Sequence, residues 1–184
     1  MKRPKSSGVP QSKMSTLLLE LTGGDRRSIG RSNAVVRKLL RDPARFEEII
    51  AGLSHDDPLV RMRCADVAEK VSLAHPEWLR PHKRNLLRLA AHSAEQEMRW
   101  HLAQMIPRLK LDRDERRRAE AIILVYLDDR SRIVKTFAIQ ALFDLAIDDM
   151  TQRRRLVPLF NELARSGSPA VRVRARKLIR ALTA

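Results

Sequence analysis

Four dipeptides made of an apolar residue followed by a basic one recur along the chain: Val60-Arg61, Met98-Arg99, Val134-Lys135 and Val171-Arg172. Their separations are 38, 36 and 37 residues. A period held this closely over three intervals marks a chain built from repeated supersecondary units, none able to bury its own apolar face without a neighbour. From each anchor, apolar residues return four, seven, eight and eleven positions later. The first segment supplies Cys64, Val67, Ala68 and Val71; the last supplies Ala175, Leu178, Ile179 and Leu182. That spacing draws one stripe along an α-helix.

The starts of these helices are marked in the sequence. Asp57, Ser131 and Ser168 precede their anchors by three residues, where a side-chain oxygen can accept the unpaired first-turn N–H groups. Pro58 and Pro169 follow at a position where a missing N–H costs nothing. The second unit has Glu95 at the cap, a weaker choice, and Pro107 late in the helix, so an early end or kink is expected there. A second amphipathic segment precedes each of these helices: 45–53, 79–91, 115–127 and 153–164. Segments 17–21 and 32–40, parted by Thr22-Gly23-Gly24-Asp25, predict an N-terminal capping pair. The expected organisation is a disordered basic tail over 1–13 and one domain over 14–184, with units at about 14–42, 43–74, 77–110, 112–147 and 151–183.

Asp57-Pro58-Leu59-Val60-Arg61 leading to Cys64-Ala65, and Ser168-Pro169-Ala170-Val171-Arg172 leading to Ala175, resemble the HEAT-repeat, armadillo-like family. The resemblance covers roughly residues 31–183 and implies an all-α fold: a right-handed α-α solenoid of about four helix pairs plus the capping pair. It implies little about function, because that fold carries scaffolds, nucleic-acid binders and a few enzymes. The scarcity of aromatic residues, 4% of the chain, also removes the usual strand signals.

The excess of 37 Lys and Arg over 22 Asp and Glu leaves a net charge of +15, which favours acidic partners. Residues 151–184 hold nine basic side chains against one acidic, whereas 111–150 hold seven against nine, so the C-terminal unit is the strongest anion-binding region. Within it, Arg174 and Lys177 lie between positions of the apolar stripe. Arg80, Arg117 and Arg154 recur at 37-residue intervals near the starts of the first helices, where basic residues oppose the helix dipole. Arg116, Arg118, Arg153 and Arg155 thicken that edge, which predicts a column facing an anion or an acidic surface. The resemblance places the second helices on the concave face, where Arg63, His101, Gln104, Phe137 and Gln140 form a mixed ridge. Arg61, Arg99, Lys135 and Arg172 are expected to fasten turn carboxylates or carbonyls of neighbouring units, with Asp56 and Asp57 as acidic partners.

No nucleophile–base pair, phosphate-cradling glycine loop or metal-ligand spacing is visible, so catalytic residues, metals and cofactors are expected to be absent. The leading expectation is a non-enzymatic scaffold for a protein partner with an acidic surface. The alternative is a nucleic-acid-binding module whose Arg-rich edge and C-terminal unit contact phosphates. A more remote resemblance, to HEAT-like DNA glycosylases, would use Trp78, Trp100 or Phe137 to stack on a base and Asp66 or Asp144 as the carboxylate. No small-molecule substrate is inferred. The lone Cys64 and the lack of a secretory pattern or a long apolar run predict a soluble, cytoplasmic protein without a membrane span.

Overall fold

The structure is a computed structural model that describes residues 14–25 and 27–183; the expected tail at 1–13 lies outside the described residues. Among those described, every regular element is helical and no strand occurs. Helices α1 (Thr16–Glu20) and α2 (Ser32–Leu39) come first. Four hairpins follow: α3 (Phe46–Gly52) with α4 (Pro58–Ala74), α5 (Lys83–His92) with α6 (Gln96–Met105), α7 (Arg113–Val125) with α8 (Arg132–Leu145), and α9 (Met150–Ser166) with α10 (Pro169–Thr183). Among the described residues, no helix is long and apolar enough to cross a membrane.

Helix boundaries follow the local chemistry. Asp57 accepts the Leu59 N–H at 2.8 Å and Ser131 accepts that of Val134 at 3.4 Å, both as the sequence predicts. Ser168 departs from expectation, because its Oγ is buried and makes no hydrogen bond. Glu95 makes no cap bond either, since its carboxylate serves Arg61. Helix α6 ends at Met105 and passes into a 3-10 turn over Ile106–Arg108, as Pro107 predicts. Upstream of α5, the stretch expected to be helical from residue 79 is instead a 3-10 turn, Pro76–His82, because Pro81 lacks an N–H and disfavours the helical conformation of the residue before it. Helix α9 begins at Met150 rather than 153, capped by Asp149 through the Gln152 N–H at 3.0 Å. Helix α7 begins with a reciprocal box: Asp112 accepts the Glu115 N–H at 2.8 Å, and Glu115 accepts the Asp112 N–H at 2.9 Å.

The second helices pack in sequence order, α4 against α6, α6 against α8 and α8 against α10, with α2 on the far side of α4. Their apolar stripes form the spine of the core. The anchors Val60, Met98, Val134 and Val171 are buried, as are Cys64, Leu102, Ala138 and Ala175 four residues on. Each fully buried Val or Leu contributes about 1.5–3 kcal/mol of transfer free energy. Small residues at three of the four latter positions let neighbouring helices approach closely. Gly52 of α3 serves the same end, since a Cβ there would lie 2.4 Å from the Cys64 Sγ.

Polar ties connect one unit to the next. Arg61 donates to the His55 and Asp56 carbonyls of its own turn and to the Glu95 carboxylate in the following one. Arg99 repeats the arrangement with the Ser93 carbonyl and the Asp129 carboxylate, and its guanidinium lies 5.2 Å from the centre of the Tyr126 ring. The acidic partners therefore come from the next turn, not from Asp56 and Asp57 as expected. Lys135 and Arg172 make no side-chain hydrogen bond or ion pair among the described residues, so only the first two of the four anchoring cations act this way. The buried Tyr126 hydroxyl donates to the Ala90 carbonyl at 2.7 Å, and burial pushes its pKa up.

Candidate functional site

The row of second helices leaves a groove of about 450 Å³ across α6, α8 and α10. Its apolar wall comes from Ala103, Pro107, Phe137, Ala141 and Ile147. A polar chain runs along it: Arg174 Nη1 donates to Gln140 Oε1 at 2.6 Å, and Gln140 Nε2 donates to Asp144 Oδ1 at 2.8 Å. Burial raises the Asp144 pKa, against the stabilising hydrogen bond from Gln140 and the charges of Arg108 and Arg174. Arg108 faces the groove while its guanidinium is held by the Glu69 carbonyl and carboxylate and by Ser72 Oγ, at 2.7–2.8 Å. The groove thus holds its polar groups in a fixed arrangement beside the half-buried ring of Phe137.

Three of the five expected concave residues, Gln104, Phe137 and Gln140, line this groove, and Arg174 joins them from α10. Arg63 does not. It is 2% exposed and donates to the carbonyls of Leu21, Thr22, Gly23, Asp25 and Ser28, which makes it the anchor of the loop after α1. That loop bends at Gly23 and Gly24, with φ of 72° and 81°. His101 is also enclosed, with its Nδ1 buried and unpartnered, and burial lowers its pKa to about 4. Lys177 is exposed on α10 and lies outside the groove lining.

The expected arginine column resolves into two grooves on either side of α7. Toward α9, a groove of about 620 Å³ is lined by Arg113, Arg116, Arg117 and Arg155 beside Asp148 and Asp149. Toward α5, one of about 510 Å³ is lined by Arg84, Arg88 and Arg118 beside Asp112 and Glu115. Arg80 and Arg154 are exposed but line neither, and Arg153 is half-buried outside both. Arg80 sits in the Pro76–His82 turn, so it has no place at a helix start. Arg116 is partly committed to structure, donating at 2.6 Å to the Leu145 carbonyl at the end of α8. Arg113, Arg84 and Arg88 stand 4, 33 and 29 residues before Arg117, off the 37-residue spacing, so they join the clefts only through packing.

The residues proposed for base capture do not converge. Trp78 stacks on His75 at 4.6 Å and meets Phe46 edge-on at 5.6 Å, while Asp66 is buried and paired with Lys70 at 2.8 Å. Phe137 and Asp144 share the α6/α8/α10 groove. Burial raises the Cys64 thiol pKa to about 12, which suppresses thiolate chemistry. Among the described residues, no group of three or more His, Cys, Asp or Glu side chains could hold a metal ion.

These features define an all-helical protein of consecutive hairpins whose second helices form one packed row. No protein-family model matches the chain, and no curated protein matches it either.

Proposed function

We propose that the chain is a right-handed HEAT-type solenoid capped by α1 and α2, and that it acts as a non-enzymatic scaffold gripping a protein partner along the α6/α8/α10 groove. The 36–38-residue period, the packed row of second helices and the turn-to-turn ties through Arg61 and Arg99 support the architectural part. A buried thiol as the sole cysteine fits a reducing, cytoplasmic setting.

The observation that carries the functional part is the lining of the groove. An apolar wall of half-buried Phe137 and Pro107 and exposed Ile147 adjoins the Arg174–Gln140–Asp144 chain, in which hydrogen bonds fix the polar groups before a partner arrives. Preorganisation of this kind lowers the cost of ordering an interface. A phosphate backbone would find Asp144 opposing it and few free cations. An amphipathic peptide segment would place an apolar side chain on Phe137 and a carboxylate near Arg174, and the net charge of +15 favours such an acidic segment.

Selection of a displayed random-peptide library against the full chain tests this reading. Enriched peptides should combine apolar and acidic residues, and should lose about tenfold or more in affinity on Phe137→Asp and separately on Arg174→Glu, in line with the loss of a central interface anchor. Peptides that bind both variants as well as the parent protein would refute the assignment of the groove.

A further inference from the structure

The two grooves beside α7 point to a second surface. In the α7/α9 groove, Arg113 and Arg155 make no side-chain hydrogen bond or ion pair among the described residues, and in the α5/α7 groove the same holds for Arg84 and Arg118. Their acidic neighbours are already engaged. Asp112 Oδ1 accepts the Asp114 and Glu115 N–H groups, Glu115 pairs with Lys83 at 2.5 Å, and Asp149 caps α9. Asp114 pairs with Arg117, but both side chains are more than 60% exposed, so water screens that pair. Asp148 is the remaining carboxylate on the lining of the α7/α9 groove. The result is two neighbouring clefts, separated by one helix, on whose linings arginines outnumber carboxylates four to two and three to two.

Arginines in such an arrangement repel one another across less than about a Debye length at physiological salt unless an anion lies between them. Planar guanidinium groups match phosphate oxygens better than lysine ammonium groups do, and every cation lining the two clefts is an arginine. A regularly repeated anion suits two clefts flanking one helix. Neither cleft carries an aromatic side chain on its lining, so bases have no platform on which to stack, which disfavours a single strand.

We propose that the edge formed by α5, α7 and the start of α9 binds the phosphodiester backbone of a nucleic-acid duplex, without reading bases. This surface is separate from the α6/α8/α10 groove and does not depend on that groove holding a peptide. Arg113, Arg117 and Arg155 serve one cleft, and Arg84, Arg88 and Arg118 the other. Arg116 contributes from a fixed position, because its bond to the Leu145 carbonyl holds the guanidinium at the rim.

The test is fluorescence anisotropy of a labelled 20-base-pair DNA duplex with the full chain between 50 and 200 mM salt, alongside a single strand of the same length. Three charge-reversed variants are compared: Arg113/Arg117/Arg155→Glu, Arg84/Arg88/Arg118→Glu, and a control of equal charge change, Arg37/Arg41/Arg130→Glu, at exposed sites outside both clefts. Each cleft variant should weaken duplex binding about 30-fold or more and flatten the salt slope by about 2–3, against less than about fivefold for the control. Loss in the control as large as in the cleft variants would overturn the proposal, as would a preference for the single strand or no duplex binding at 50 mM salt. Hydrogen exchange on the unaltered protein gives a readout that needs no variant to fold. Protection on adding duplex should fall at 84–88, 113–118 and 148–155; protection confined to α6, α8 and α10 would assign the nucleic acid to the peptide groove and refute the edge.

Discussion

Mild acid should destabilise this protein through His101. The imidazole is 8% exposed, and desolvation lowers its pKa to about 4, outweighing the opposing pull of Asp66 and Glu97; Lys70 adds to the lowering. The folded state therefore holds neutral histidine, while the unfolded chain binds a proton near the ordinary value of 6.5. Because the folded pKa is the lower one, the stabilisation is complete above about pH 6.5 and is lost as the pH falls toward 4. From those two values, the loss between pH 7 and pH 5 amounts to about 2 kcal/mol, most of one group's contribution and a large fraction of a typical domain's net stability. The carboxylates with lowered pKa values, Asp112 held by backbone hydrogen bonds and Glu48 by Arg45, titrate below this window. Asp144, whose pKa burial raises, acts with the opposite sign. Urea unfolding at pH 7, 6 and 5 reads the effect directly. The parent protein should lose about 2 kcal/mol across the range and His101→Gln less than about 0.5 kcal/mol, whatever its starting stability. Equal losses in both proteins would show that His101 is not the titrating group.

Arg63→Ala should destabilise the fold by about 3–5 kcal/mol, because it leaves the carbonyls around Leu21 to Ser28 without their donor; urea midpoints measure this, and a loss under about 1 kcal/mol would contradict the anchoring role. Gly30→Ala should act on the same contact, since the added Cβ would lie 2.7 Å from the Arg63 Cζ at a φ of +53°. Gly52→Ala should cost about 1–3 kcal/mol through overpacking against Cys64, and Cys64→Ala introduced with it should recover part of that cost; a double variant no better than the sum of the singles would refute the contact.

The second helices were legible because their apolar stripe and their caps are local signals. The anchors Val60, Met98, Val134 and Val171 are all buried, and Asp57 and Ser131 cap as their spacing implies. Pro107 ends its helix as its position predicts, whereas Pro81 holds Arg80 in a 3-10 turn and breaks the even column that the 37-residue spacing predicts. The Asp112/Glu115 box is present in the sequence as an acidic pair three apart, the spacing a capping box requires. Arg63 departs from its expected concave position for a different reason. Its periodic position is that of a solvated side chain, and the segment that covers it, the turn after α1, lies about 40 residues earlier with no periodicity of its own. The partner of Arg61 was likewise beyond local reading, because Glu95 stands 34 residues on and meets it only when one unit packs on the next. In the candidate groove, Gln104, Phe137 and Gln140 were found from helix register, whereas Arg108 and Ile147 join them only through tertiary packing.

The central claim is that the α6/α8/α10 groove receives a protein segment. Hydrogen exchange of the full chain with and without a saturating, library-selected peptide tests it most directly. The account predicts slowed exchange at 103–108, 137–147 and around 174, with the α5/α7 and α7/α9 edges unchanged. Protection confined to those edges, or spread evenly along the chain, would contradict it.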